Sequence, residues 1–144
     1  MKLQVKVQMD VEQVTREIAA LGDAGEEAAK EVLNAFAVRV VNEAKPLTPV
    51  EPIDGGDLRE SVRAISARKG RTGVLGVTVM AGGAPLKAKL EATKHRYNVV
   101  AAVQHEDMSL KHTSGGPKFI ERPFLRAVVQ VPNELLAALD ARKP

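Results

Sequence analysis

The chain of 144 residues is 44% hydrophobic and 27% charged, which is the composition of one globular domain and argues against a disordered or fibrous protein. The absence of cysteine excludes disulfides, thiol nucleophiles and thiolate metal sites. No stretch approaches the roughly 18 uninterrupted apolar residues of a membrane span, and the N-terminus does not resemble a signal peptide. We therefore expect a protein that neither spans a membrane nor is secreted.

The net charge is +3, but the charges are unevenly distributed: the first part of the chain is acidic and the middle part is basic. Residues 1–57 hold eleven acidic and six basic side chains, whereas residues 58–98 hold two acidic and nine basic ones. This asymmetry suggests two surfaces that face different partners, or unlike patches that meet when the protein associates with itself. The alternative is a basic hairpin that is simply solvated.

The first third of the chain predicts one strand and two helices. Apolar and polar residues alternate over residues 2–9, which is typical of an antiparallel strand with one solvated face. Helical spacing of apolar residues predicts two helices over residues 11–44, joined near Gly22. We expect the second helix to end near Ala44, because Pro46 disfavours helical geometry in the residue before it.

The middle of the chain predicts a loop, a short helix and a hairpin. Residues 46–57 hold three prolines and a Gly-Gly pair, which predicts a Pro/Gly loop ending at Asp57, the cap of a short helix. Two β-rich runs around a basic, glycine-containing turn predict a basic hairpin over residues 62–81. The pattern over residues 86–105 favours neither helix nor strand.

The last third predicts a loop over residues 109–118, which contain Gly-Gly-Pro, and a C-terminal helix over residues 123–141. Pro123 is placed as the first residue of this helix, and Pro132 is expected to kink or divide it. The whole pattern predicts a single α+β domain over residues 1–144. In that fold a small antiparallel sheet packs against the long helix of the N-terminal half and a C-terminal helix.

The side chains that could carry catalysis do not form a recognisable motif. The three histidines, His95, His105 and His112, lack the i, i+3 or i+4 spacing of helix-borne metal ligands, although His105 is followed by Glu106 and Asp107. A Ser-His-Asp trio can be chosen on paper, but no G-x-S-x-G elbow accompanies it. Glycine spacing fits neither a dinucleotide fingerprint nor a P-loop. We predict no enzyme, and no catalytic, cofactor or metal site.

Nucleic-acid binding is the competing function of another class, that of a small basic duplex-DNA-binding protein. Basic residues cluster beside the hairpin, at Lys87, Lys89, Lys94, His95 and Arg96. Aromatic residues make up only 3% of the chain, which leaves little to stack on single-stranded bases, and the acidic second helix would repel phosphate. Non-specific contact with a duplex backbone, or with an acidic protein surface, remains open.

Three segments carry a resemblance to a known family. They are Asp54–Val62 after the Pro/Gly loop, Tyr97–Glu106 in mid-chain and Pro117–Ala127 at the start of the last helix. In this order they resemble the tailed-phage gp10-like tail-component or neck family, with similarity from about Val11 to Leu139. The sequence departs from the family pattern at residues 104–107, where a glycine is usual, and at residues 86–96, which look like an insertion.

The resemblance implies structural roles for the residues that match its motifs, which are Gly56, Leu58, Tyr97, His105, Phe119 and Pro123. It also implies a virion protein at the head-tail junction, assembled in the host cytoplasm: a neck or connector subunit that joins the DNA-filled head to the tail. A tail-terminator or tail-completion role is the alternative within the same family.

The implied partners are further copies in a six- or twelve-fold ring, a head-side adaptor or connector, and a tail-tube or terminator protein. Genomic DNA would pass through the lumen without sequence-specific binding, and no membrane is implied. The candidate assembly surface consists of the basic residues of the middle third: Arg68, Lys69, Arg71, Lys87, Lys89, Lys94 and Arg96. Reversing Arg68, Lys69 and Arg71 together is predicted to block assembly without unfolding the subunit.

Overall fold

The structure is a computed structural model, and it describes residues 2–3, 11–49, 57–82, 105, 106, 108 and 115–144. Within these residues the helices are α1 (Val11–Leu21), α2 (Asp23–Leu47), α3 (Asp57–Ser61), α4 (Glu121–Val128) and α5 (Val131–Asp140), and the strands are β1 (Lys2–Leu3), β2 (Arg63–Lys69) and β3 (Leu75–Met80). The predicted α+β class is confirmed, because a small antiparallel sheet packs on the long helix of the N-terminal half.

Helix α2 is the central element of the fold. Its 25 residues extend about 37 Å at the α-helical rise, and it contacts the other helices and both long strands. A stripe of buried apolar residues at i, i+4 steps holds these neighbours: Ala28, Val32, Phe36, Val40 and Ala44. The sequence predicts this stripe correctly, since a 3.6-residue period places these side chains on one face.

The predicted end of α2 is wrong. The helix continues through Pro46 to Leu47, so the loop expected over residues 46–57 begins later, and its far end, Asp57, is already in α3. Pro46 lacks the N–H that would donate to the carbonyl four residues before it, so it interrupts one bond near the end of the helix. Thr48 caps the last turn: its N–H donates to Ala44 O at 2.9 Å, and its Oγ1 donates to the same oxygen at 2.8 Å. The helix therefore ends at Leu47, with Thr48 as its C-cap.

Helix α1 packs closely on the start of α2, and Gly25 makes this approach possible. A Cβ atom at Gly25 would lie 2.6 Å from the backbone oxygen of Ile18. The two helices are joined at Gly22, whose φ of 58° lies in the left-handed region. This confirms the predicted joint.

The sheet has the order β1-β3-β2, with both pairs antiparallel. The predicted hairpin over residues 62–81 is confirmed, and β2 carries a register shift between Ile65 and Arg68. Of the strand predicted over residues 2–9, Lys2–Leu3 form β1 and pair with β3, while residues 4–10 lie outside the described residues.

The C-terminal helix is divided, as Pro132 predicts, because this proline is the second residue of α5. The predicted start at Pro123 is wrong by two residues. Helix α4 begins at Glu121, and Pro123 is its third residue. The N–H groups of a first helical turn have no partner within the helix, so a proline is tolerated anywhere in that turn.

The hydrophobic core lies around α2 and includes Leu58, Phe119 and Leu139, all fully buried. Phe124 is half-buried and meets Phe36 edge to face, with ring centroids 5.0 Å apart. The structural roles predicted for Leu58, Phe119 and Pro123 agree with their burial. Gly56 and Tyr97 lie outside the described residues.

Candidate assembly surfaces

The turn of the hairpin presents three exposed side chains, Arg68, Arg71 and Val74, which we call the basic arm. Neither arginine forms an ion pair or a side-chain hydrogen bond with any residue that the structure describes. Val74 is 66% exposed and adds an apolar side chain to the same turn. The arm thus combines two uncompensated charges with an uncovered apolar group.

Lys69 belongs to the same turn but faces the other way. Cross-strand partners share a face of the sheet, and Lys69 pairs with Leu75, which packs against the core. Its Nζ lies 2.5 Å from Oε2 of Glu26 on α2. Arg68 pairs with Gly76 and therefore lies on the opposite face, away from α2. Of the three hairpin cations predicted to form an assembly surface, one is already neutralised within the subunit.

An acidic stripe runs along an exposed face of α2. Asp23, Glu27 and Glu31 follow each other at i, i+4 steps and are all exposed, and Val38, 54% exposed, continues the same face two turns further on. Lys30 lies 3.2 Å from Glu27, and Arg142 lies 2.7 Å from Glu31. Both carboxylates remain about two-thirds exposed, at 64% and 65%, so these are surface ion pairs of small net strength.

The opposite end of α2 is held by a clamp of side-chain to backbone hydrogen bonds. Arg59 donates from Nη2 to Thr48 O at 2.9 Å and to Pro46 O at 3.3 Å. These acceptors belong to the C-terminal end of α2, where the helix dipole favours a cation. The arginine of the first family-like segment therefore has a structural role, and Leu58 beside it fills the core.

Ser61 and Arg63 extend the clamp to the sheet. Ser61 Oγ accepts from Gly82 N–H at 2.8 Å and donates to Leu58 O at 2.6 Å. Arg63 donates to Gly82 O at 2.6 Å. These bonds attach Gly82, the last described residue after β3, to the end of α3.

The C-terminal part of the chain joins the clamp at Gly115 and Gly116. The N–H of Gly116 donates to Leu47 O at 2.9 Å, and a Cβ atom at Gly115 would lie 2.5 Å from that same oxygen. The described residues that follow the gap at 109–114 are thereby tied to this end of α2. The hairpin turn lies at the other end, beside Glu26.

A second polar cluster surrounds His105. Its Nδ1 lies 2.6 Å from Oε1 of Glu106, and Lys118 bonds to the other oxygen of Glu106 and to Glu121. Burial lowers the pKa of His105, and the Lys118 ammonium lowers the pKa of the Glu106 carboxyl. A neutral imidazole then donates from Nδ1 to the carboxylate, and its Nε2 has no partner among the described residues.

The His105 cluster has the residue types of a metal site, since ligand atoms of His105, Glu106 and Glu121 lie within 4.8 Å of one another. The position between the two carboxylates, however, is taken by the ammonium of Lys118. The cluster therefore serves to tie Lys118, which has a φ of 58°, to the residues before it. Its backbone N–H also donates to His105 O at 2.7 Å. The absence of a metal site therefore stays a prediction from the sequence.

The structure does not bring the seven predicted assembly residues together within the part of the chain that it describes. Arg68, Lys69 and Arg71 lie at the hairpin end, while Lys87, Lys89, Lys94 and Arg96 lie outside the described residues. The acidic start of the chain was predicted from the sequence as a candidate patch, and the structure places three of its carboxylates in the exposed stripe on α2. Sequence reasoning missed the clamp of Arg59, which no local pattern signals.

The comparisons with known proteins identify a class and a family. A family model for the bacteriophage HK97-gp10-like tail component matches residues 12–97, which is more than half of the chain. The protein is thus a phage structural protein of a typically non-enzymatic kind, associated with the virion, and it belongs to the HK97-gp10-like tail-component family. No curated protein and no solved structure matched the chain.

The match confirms the resemblance for the first two-thirds of the chain. It ends at Tyr97, so the family-like segment Pro117–Ala127 lies beyond it and its assignment stays a prediction. None of the described helices is long and apolar enough to cross a membrane.

Proposed function

We propose that the protein is a neck subunit that joins the DNA-filled head to the tail as part of a six- or twelve-fold ring. The observation that carries the proposal is the presence of two unlike exposed surfaces, the basic arm and the acidic stripe, on one compactly packed body. A ring closed by rotation needs unlike patches on each subunit, because every contact joins two different surfaces.

The partners in this proposal are a head-side adaptor or connector and a tail-tube or terminator protein, at the head-tail junction of the virion. Genomic DNA passes through the lumen. Cations spread over a ring attract the phosphate backbone without reading its sequence. The clamp at one end of α2 and the hairpin turn at the other give the subunit two distinct ends, as a position between head and tail requires.

Disruption of this gene alone in a phage that carries it tests the role. We expect DNA-filled heads beside free tails of normal length in the lysate, seen by electron microscopy. Tails of abnormal length would instead favour the terminator or completion role. Complete, infectious particles would refute a function in joining the head to the tail and would favour the DNA-binding alternative.

Charge reversal tests the hairpin as an assembly surface. We expect the variant R68E/K69E/R71E to fail to restore infectivity when it replaces the wild-type gene product, while its thermal unfolding midpoint stays close to that of the wild type. The loss of the exposed Lys69–Glu26 pair has only a small effect on stability. The matched control is K45E/R122E/R126E, which reverses three exposed cations elsewhere on the body, one of them in a surface ion pair with Glu43. Normal infectivity of the triple variant would show that the hairpin is not an assembly surface.

The duplex-DNA-binding alternative makes a different prediction. The purified protein would then be retained on duplex DNA at low salt and released steeply as salt rises. A neck subunit needs no such retention as an isolated chain.

A further inference from the structure

We propose that the basic arm of one subunit docks on the acidic stripe of a second copy of this chain. The contact would join Arg68 and Arg71 to Glu27 and Glu31, and Val74 to the helix face that carries Val38. This inference rests on the proposed ring function and names its subunit contact.

Charge complementarity is the first argument. The arm carries two arginines without anionic partners among the described residues, and the stripe carries three carboxylates in a row on one helix face. Glu27 and Glu31 are paired only with surface cations, and such pairs exchange at little cost when a better partner arrives. Arginine is suited to this exchange because it can bind a carboxylate through two parallel hydrogen bonds.

The apolar groups are the second argument. Val74 and Val38 are 66% and 54% exposed; Val74 lies in the same turn as Arg71, and Val38 lies on the same helix face as Glu31, two turns further on. Both surfaces therefore have the same composition: a charged part, of opposite sign, followed by an uncovered valine. Interfaces combine an apolar centre with charged groups around it in this way.

The positions of the two surfaces are the third argument. The Lys69–Glu26 bridge fixes the hairpin turn at the level of the first turns of α2, where the stripe begins. Arg68 lies on the sheet face directed away from α2, so the arm faces outward from the subunit that carries the stripe. Two unlike surfaces at the same level on one body give a head-to-tail contact between copies.

Strand addition is the other way in which β2 could join a neighbour, and the structure disfavours it. Asn34 Oδ1 accepts from the N–H of Ala67 at 2.7 Å, within the bulged part of β2. A capped donor and a bulge both interrupt the ladder that an added strand would need. The contact therefore depends on side chains.

Cysteine cross-linking tests the contact, because the natural chain contains no cysteine. Two single variants, Val74→Cys and Val38→Cys, are mixed and oxidised, both as purified proteins and in phage particles that carry them. A disulfide needs Cα atoms within about 7 Å, so a mixed dimer reports direct contact. We expect a dimer from the mixture, and a ladder of multimers from the double variant V38C/V74C. The control is a mixture of Val74→Cys with Val129→Cys, which places the second thiol directly after α4 at an exposed site and should give no dimer.

Charge reversal then tests the pairing itself. We expect the dimer yield to fall at least tenfold when R68E/R71E is added to the Val74→Cys subunit, or when E27K/E31K is added to the Val38→Cys subunit. When both reversed subunits are mixed, the dimer should return. Failure to return would overturn the pairing of these two surfaces.

Two other results would also overturn the contact. Cross-linking of Val74→Cys with itself would indicate a symmetric contact between identical surfaces, and absence of the mixed dimer in particles that contain the protein would place the arm elsewhere. Either result leaves the neck function standing if disruption of the gene still yields separate heads and tails. Complete particles without the protein would refute the neck function, whatever the cross-linking shows.

Discussion

Substitution of Gly115 by alanine tests whether the clamp end of α2 is as crowded as the structure shows. Gly115 has a φ of 77°, and an added Cβ would lie 2.5 Å from Leu47 O and 2.7 Å from the carbonyl group of Thr48. The left-handed conformation costs a non-glycine residue about 1–2 kcal/mol. Relief of the crowding would move the glycines away from α2 and break the bond from Gly116 N–H to Leu47 O, which contributes about 1 kcal/mol.

The expected loss in the free energy of unfolding is therefore about 2–3 kcal/mol, or a fall in the unfolding midpoint of about 5–10 °C for a chain of this size. Two other glycines separate the contributions. Gly73→Ala has the same φ of 77° but open space, and should lose only the conformational part. Gly116→Ala has neither a positive φ nor a close neighbour, and should leave stability unchanged or raise it by up to about 1 kcal/mol.

Urea unfolding followed by far-ultraviolet circular dichroism is the suitable assay, because the chain contains no tryptophan for fluorescence. The three variants should rank Gly115→Ala below Gly73→Ala, and Gly73→Ala below Gly116→Ala. Equal losses for Gly115→Ala and Gly73→Ala would refute the close approach of Gly115 to the end of α2.

Three further predictions concern the body of the protein. Burial lowers the pKa of His105 from its ordinary value of 6.5, so below pH 6.5 the unfolded chain binds a proton that the folded chain resists. The free energy of unfolding should therefore fall from pH 7 to pH 5. In urea titrations, His105→Gln should flatten this decline. The two hydrogen bonds between Arg39 and Glu134 join half-exposed side chains, and a double-mutant cycle should give a coupling of about 0.5–1 kcal/mol that weakens in 1 M salt. Leu58→Ala empties a fully buried site and should cost about 2–5 kcal/mol in the same unfolding assay, whereas a loss below about 1 kcal/mol would show that Leu58 is not part of the core.

The sequence predicts the elements whose signal is local. The i, i+4 stripe of α2 and the turn between β2 and β3 depend on neighbouring residues, and both were predicted correctly. The proline rules gave helix ends that were wrong by one turn or less. Pro123 is tolerated because the N–H groups of a first turn have no partner within the helix, whereas Pro46 lies one residue before the end of α2 and interrupts only one hydrogen bond there.

The parts that escaped prediction depend on pairs that are distant in sequence. Glu134 bonds to Arg39 across 95 positions, and Asn34 caps the N–H of Ala67 across 33. Nothing near either residue indicates such a partner. The same limit applies to the candidate surface. The basic residues of the hairpin turn were readable, but the attachment of Lys69 to Glu26, which leaves Arg68 and Arg71 without anionic partners among the described residues, follows from the tertiary structure.

The capped and bulged edge of β2 also bears on how the protein behaves at the high concentrations reached during phage production. An open strand edge lets copies add to one another without limit, and the resulting fibres do not dissolve when their proper partners arrive. Here Asn34 and the bulge obstruct that route along β2. Under the proposed ring contact, copies would associate through side chains, whose attraction is weak and salt-sensitive. Free subunits would then accumulate without polymerising through this edge, and their association would stay reversible until the ring assembles.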